Sequence, residues 1–247
     1  MNKGFRLQLS SRGGAPFSGL GLATAGLMAL LLWPGCRPPQ PSLTPGARLE
    51  AVEGYASLAI DSEQGRGKSK VSFLIQLPDR ARIDVFDALG RSLITLISRD
   101  GESFFVLVPK KAYWRGGRDE MIEKFLGFSL SLEELAGLLA WRWTSPPDSA
   151  GAVRPGWSLA RDSKNRVVAA ERNDVVFEVK DFFPGTSTPH TLTFRSDRSS
   201  GRLKVFEVRF NASPAQDAAP LWFLESFEVK TWEGMEKLLA DEAEVVR

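Results

Sequence analysis

From Leu49 onward the apolar residues recur mostly at every second position, the spacing that places side chains on one face of a strand. This pattern predicts strands over 50–60, 71–77, 81–86, 92–98, 104–108, 157–160, 167–171, 175–182, 191–195, 203–210 and 224–230. Turn signals at Gly65-Arg66-Gly67, Pro78-Asp79, Leu89-Gly90 and Asp100-Gly101 separate the earlier ones. About eleven short strands without strand–helix alternation imply an antiparallel meander, curved or closed into a barrel. Val71, Phe73, Ile75 and Leu77 alternate with Ser72, Leu74 and Gln76, as in a sheet with one wet side. The runs 93–97 and 104–108 are apolar at every position but Thr95, so something must cover both of their faces.

One helix is strongly marked. Ser131 and Glu134 form a capping-box pattern, and Leu132, Leu135, Leu138, Leu139 and Arg142 follow at helical spacing. A shorter helix is expected over 119–125 and another over 232–240. Such helices are too few to form a layer of their own and are expected to pack on or inside the curved sheet. The fold class is therefore mainly β with a few helices.

The first 35 residues follow a different rule. Lys3, Arg6 and Arg12 precede an uncharged stretch of 23 residues, 13–35, densest from Leu20 to Trp33. A basic region followed by an apolar one is the layout of a secretion signal. Gly35-Cys36 comes next, then Pro38, Pro39, Pro41 and Pro45, a stiff extended spacer. The arrangement resembles a bacterial lipoprotein signal, which implies that Cys36 is acylated and becomes the mature N-terminus. Trp33 and Pro34 depart from that pattern. The alternative is a membrane-spanning anchor, since 23 residues reach across a core of about 30 Å. Either outcome tethers the chain to a membrane. Because Arg37 follows the cysteine, the lipoprotein resemblance implies the periplasmic face of the outer membrane. The expected organisation is a signal over 1–35, a tether over 36–48 and one domain over 49–247.

Composition narrows the function by exclusion. With 43% apolar and 25% charged residues the chain is globular, and 247 residues suffice for one substantial core. Removing Lys3, Arg6 and Arg12 leaves 29 basic against 30 acidic residues, and no basic run, so nucleic-acid binding is disfavoured. A single cysteine excludes an intramolecular disulfide and a multi-cysteine metal site. His190 is read as an exposed loop residue, and no Gly-x-Ser-x-Gly elbow or second histidine exists to make a triad. The carboxylate pairs Asp84 and Asp87, Glu133 and Glu134, and Asp241 and Glu242 read as strand-edge, helix-start and tail charges. No phosphate loop or cofactor motif appears, and no catalytic residue is expected.

The segment RIDVFDALGRSLITL over 82–96 resembles the strand–loop–strand element of the LolB family of outer-membrane lipoprotein receptors. Asp119 to Lys124 with Gly127, Leu130, Leu132 and Leu135 is similar to that family's helix, glycine and Leu-x-x-Leu block. The likeness spans roughly 49–143. It implies an incomplete antiparallel barrel wrapped around helices, with an apolar cavity that takes acyl chains from a periplasmic lipoprotein carrier. It further implies a protruding loop leucine, which maps onto Leu89, with Ala88 where the family carries proline.

The resulting expectation is a membrane-attached, monomeric acyl-chain receptor without catalytic chemistry. Phe73, Ile75, Ile83, Val85, Leu93, Val106, Leu135 and Leu139 are the residues expected to line its cavity. Burial of lipid tails, at about 0.8 kcal/mol per methylene, would supply the driving force. Two rivals differ in class: a non-catalytic interaction lipoprotein whose core is filled by its own side chains, and an envelope hydrolase using His190.

Overall fold

The alternating residues build one sheet. A computed structural model describes residues 43–62, 65–117, 119–143, 156–173, 175–212 and 219–245. The expected signal, Cys36 and the spacer up to residue 42 lie outside the described residues. The strands are β1 (Ala51–Ser62), β2 (Gly65–Gln76), β3 (Arg80–Phe86), β4 (Ser92–Arg99), β5 (Glu102–Leu107), β6 (Ala112–Gly117), β7 (Ser158–Arg161), β8 (Val167–Arg172), β9 (Val175–Phe182), β10 (Pro189–Arg195), β11 (Ser199–Phe210) and β12 (Glu228–Val229). They pair in the order β12-β6-β5-β4-β3-β2-β1-β11-β10-β9-β8-β7. All neighbours are antiparallel except β12 with β6. β12 and β7 do not meet, so the barrel is incomplete, and it wraps around helices.

Among the described residues three α-helices occupy its inner side: α1 (Glu120–Leu126), α2 (Leu132–Leu139) and α3 (Trp232–Val245). Met121, Ile122, Leu135, Leu138 and Met235 from these helices share one buried cluster with Val52, Phe73, Leu96, Phe105, Phe177 and Leu192 from the sheet. The two-sided apolar runs find covers on both faces, as their pattern requires. Ile94, Leu96, Phe105 and Leu107 point into the main core. Ile97, Phe104 and Val106 point outward, beneath Ala219, Leu221, Phe223, Leu224 and Phe227.

Four local expectations are corrected. Gly65 to Gly67 is not a turn but the start of β2, whose pairing with β1 runs out to Ser62 opposite Gly65. β6, which ends on Gly116-Gly117, is absent from the predicted strands, yet it pairs with β5 along its whole length. Most of 224–230 is not strand: Leu224 and Phe227 stand three apart, and residues Trp222–Ser226 form a 3₁₀-helix that precedes the two-residue β12. His190 lies in β10 and is half-buried rather than exposed in a loop.

Beyond Leu43 the expected spacer is bound to the body. Thr188 Oγ1 donates to Leu43 O, and the Arg142 guanidinium donates to Gly46 O at 2.9 Å and Ala47 O at 2.6 Å. Asn211 Nδ2 donates to Arg48 O at 2.7 Å. Arg142 therefore does not continue α2; it lies past the helix end and clamps the entering chain.

Candidate functional site

Between α1, α2 and the inner face of the sheet lies a small hollow of about 70 Å³. Leu58, Val71, Phe73 and Ile83 face it from β1, β2 and β3; Phe177, Leu192, Phe194 and Leu203 from β9, β10 and β11; and Ile122, Phe125, Leu126, Phe128, Leu135, Leu138 and Leu139 from the helices and their junction. Every one of these side chains is apolar. Ile83, Phe125, Leu126 and Leu203 are only half-buried and mark the rim.

Two glycines set the aromatic lining. A Cβ at Gly54 would sit 2.6 Å from Phe73 Cζ and 2.3 Å from Glu207 O, and one at Gly201 would sit 2.3 Å from Phe194 Cζ. Each glycine is paired directly across the ladder with that phenylalanine. The rings thus lie down over bare backbone, where any other residue would push them into the hollow.

The two helices that roof the hollow are held very differently. α2 carries a complete capping box: Glu134 N donates to Ser131 Oγ at 3.1 Å and Ser131 N donates to Glu134 Oε2 at 2.9 Å. The other carboxylate oxygen accepts from Trp157 Nε1 at 3.1 Å and from the Arg172 guanidinium. Arg172 also donates to Ser129 O at 2.9 Å and stacks 4.6 Å over the Trp157 ring. This cluster bolts the start of α2 to β8. By contrast α1 has seven residues, too few to be stable alone, and its N-cap Asp119 makes no side-chain capping bond. Gly127, at φ 83°, ends it by donating to Glu123 O at 2.8 Å. Among the described residues one side-chain hydrogen bond, from Ser199 Oγ, ties its last carbonyl to the sheet. α1 is the weaker lid.

Leu89 stands at the tip of the β3–β4 hairpin and is 78% exposed. It does not fold back under its own loop. The turn is rigid without proline: Asp87 Oδ1 accepts from the backbone N–H of Leu89 and of Arg91, each at 2.9 Å, and Arg91 Nε donates to Asp87 Oδ2 at 2.7 Å. These bonds hold the Asp87 carboxyl below the usual carboxylate range, the Arg91 amide contributing most. Gly90, at φ 80°, supplies the left-handed position. The same turn recurs at Asp162 to Arg166, with Asn165 at φ 61° and Lys164 where Leu89 stands. The geometry therefore presents that third side chain to solvent whatever it is. A lysine there needs no explanation; a leucine forgoes about 1.5–3 kcal/mol of burial.

Of the eight residues expected in the cavity, Phe73, Ile83, Leu135 and Leu139 line the hollow. Ile75, Val85 and Leu93 belong to the same core but not to the lining. Val106 is a correction: it is buried in the outer cluster, because successive strand residues face opposite ways and Phe105 and Leu107 take the inner face. None of the eight comes from β9, β10 or β11, which supply Phe177, Leu192, Phe194 and Leu203. Their signal was present in the alternation of Phe177 with Glu178 and of Leu192 and Phe194 with Thr193.

The candidate chemical groups have structural occupations. His190 Nδ1 lies 2.9 Å from Asp181 Oδ1 on neighbouring strands, with the Phe183 ring 5.0 Å away. Asp84 accepts from Arg82 Nε and Thr95 Oγ1, both at 2.7 Å. Among the described residues no helix is long and apolar enough to cross a membrane.

No family model matches the chain, and no curated protein matches it. Solved structures with some likeness include one described as an outer membrane lipoprotein-sorting protein domain from Vibrio parahaemolyticus, at 10% identity and TM-score 0.44 over 70% of this chain and 90% of that one. A LolA superfamily protein from Nitrosomonas europaea matches at 11% identity and TM-score 0.38, over 67% and 88%. A DUF1329 family protein from Desulfovibrio piger matches at 12% identity and TM-score 0.41, over 68% and 88%.

Proposed function

We propose that this chain is a non-catalytic acyl-chain-binding protein, tethered through Cys36 to the periplasmic face of the outer membrane, that receives lipid tails beneath α1. The observation that carries this reading is the hollow itself: an apolar space roofed by two helices and free of any polar side chain. A cavity of about 150 Å³ holds benzene, so a space of about 70 Å³ admits no fatty tail as it stands. Binding therefore requires α1 to swing away from the sheet, and its sparse fastening favours that movement over any change in α2. Each methylene then buried contributes about 0.8 kcal/mol toward the cost of opening. Lipoprotein sorting, with cargo handed over by a periplasmic carrier and Leu89 entering the bilayer, is the specific form of this reading.

The opposing reading is an interaction lipoprotein with a filled core, favoured by the smallness of the hollow. Native mass spectrometry of the full chain extracted from membranes separates the two. Retained fatty tails, together with displacement of a bound fluorescent fatty acid by palmitate, support the acyl-binding role. Saturating fluorescent fatty acid that never binds leaves only the scaffold.

A further inference from the structure

The outer face of the central strands carries a cationic field that the acyl-binding reading does not use. Register places Ser57 of β1 between Lys70 of β2 and Lys204 of β11, and Ala59 between Lys68 and Arg202. Two small residues thus form a floor with a pair of cations on each side. Neighbouring strands are about 4.8 Å apart, so the two pairs stand roughly 10 Å from one another across the strip. Lys68, Lys70, Arg202 and Lys204 are all exposed, and none has an acidic partner among the described residues. Lys68, Arg202 and Lys204 border an open trough of about 1110 Å³, in which Arg195 adds a further exposed cation. The two carboxylates that line the trough are already matched: Asp61 pairs with Arg66 at 2.7 Å, and Glu178 with Lys180 at 2.5 Å. Toward the other end of the sheet the charges balance, with Arg209 reaching both Glu53 and Glu207.

The field shares its end of the sheet with Leu89. β3 stops at Phe86, opposite Lys70, and the Leu89 turn follows at once, while Lys68 and Arg66 carry β2 onward past it. Beside Lys204, the bulge between Tyr55 and Ala56 leaves Phe206 unpaired and 47% exposed, its ring 5.8 Å from that of Tyr55. Unpaired cations and an exposed leucine at one end, with the exposed Phe206 ring at the inner border of the field, are the components of an interfacial membrane contact.

We propose that this face docks the body flat on an anionic phospholipid leaflet, with Lys68, Lys70, Arg202 and Lys204 against the headgroup phosphates and Leu89 at the acyl boundary. This rests on the membrane-surface reading above and gives it an orientation. A tether through Cys36 alone would leave the body free to tumble; the cationic face fixes which side meets the lipid. Each cation close to such a leaflet strengthens attachment about five-fold at physiological salt.

Amine labelling of the full chain reconstituted in vesicles tests the proposal. In vesicles containing phosphatidylglycerol, modification of Lys68, Lys70 and Lys204 should slow about five-fold or more relative to phosphatidylcholine vesicles, with Lys164, at the opposite end of the sheet, unchanged. Molar salt should erase the difference. Equal reactivity in both vesicle types overturns the proposal, as does protection in phosphatidylcholine vesicles that appears only on adding an acidic protein. The variant Lys68→Gln with Lys204→Gln should lose protection at Lys70 yet bind fluorescent fatty acid normally. Loss of fatty-acid binding by the unaltered chain, with protection intact, would defeat the acyl-binding reading and leave the docking face standing.

Discussion

The hydroxyl of Ser199, the first residue of β11, donates to the carbonyl of Leu126, the last residue of α1, at 2.6 Å. Both atoms belong to residues at the rim of the roof, and the serine is buried. A hydrogen bond contributes about 0.5–1.5 kcal/mol net, so this contact acts as a latch on a helix otherwise held by packing and by the Lys124 ammonium 5.0 Å over the Trp232 ring. Ser199→Ala should lower global stability by about 1 kcal/mol and raise amide exchange at Phe125 to Gly127 selectively. Uptake of a fluorescent fatty acid should become faster. Unchanged exchange at those three amides would show that the latch does not restrain α1.

The α2 cluster makes the opposite prediction. Glu134 satisfies Ser131, Trp157 and Arg172 together, and the ion pair is largely buried, at 22% exposure for Arg172 and 18% for Glu134. Glu134→Gln keeps the shape but weakens the charge-assisted contacts, each worth about 1.5–3 kcal/mol. The urea midpoint should fall clearly while fatty-acid uptake keeps its rate, because α2 is a fixed wall. Faster uptake in this variant would shift the gate from α1 to α2.

Legibility in the sequence followed the physics of each element. Strand alternation and the Ser131 to Glu134 capping box need only local rules, and both appear in the fold as read. Which strand face looks inward is a global property: Phe105 and Val106 are equally apolar, and only the covering 3₁₀ segment tells them apart. The size of the hollow depends on how Phe73 and Phe194 lie over Gly54 and Gly201, a pairing across strands remote in sequence. The Leu89 turn was more readable than it looked, since Asp, any three residues and Arg occur twice with the same geometry.

Filling the hollow should abolish binding without dismantling the fold. Val71 is 3% exposed and lines the space under the helices. Val71→Phe adds bulk to a region of about 70 Å³, at a cost of about 1–3 kcal/mol from overpacking. Circular dichroism should report a folded chain, and titration with fluorescent fatty acid should show no saturable binding. Wild-type affinity in this variant would place the acyl site elsewhere.

Leu89 should respond to acid through Asp87. The carboxylate that fixes the turn is held below its ordinary value by the Arg91 amide and guanidinium and the Leu89 amide. A lowered folded-state value means the stabilisation is fully present above the unfolded value, about 3.9, and disappears as pH falls through the folded one. The turn therefore keeps its shape across the neutral and mildly acidic range. The Leu89 and Arg91 amide resonances should titrate together with a midpoint under 3.9, and the matching Asp162 turn should show the same behaviour at Lys164 and Arg166. Asp87→Asn should remove the titration while leaving fatty-acid binding intact. Leu89→Glu should bind fatty acid normally yet fail to pass it to vesicles, because a carboxylate cannot enter the acyl boundary. Transfer at the wild-type rate by Leu89→Glu would separate the exposed leucine from membrane delivery.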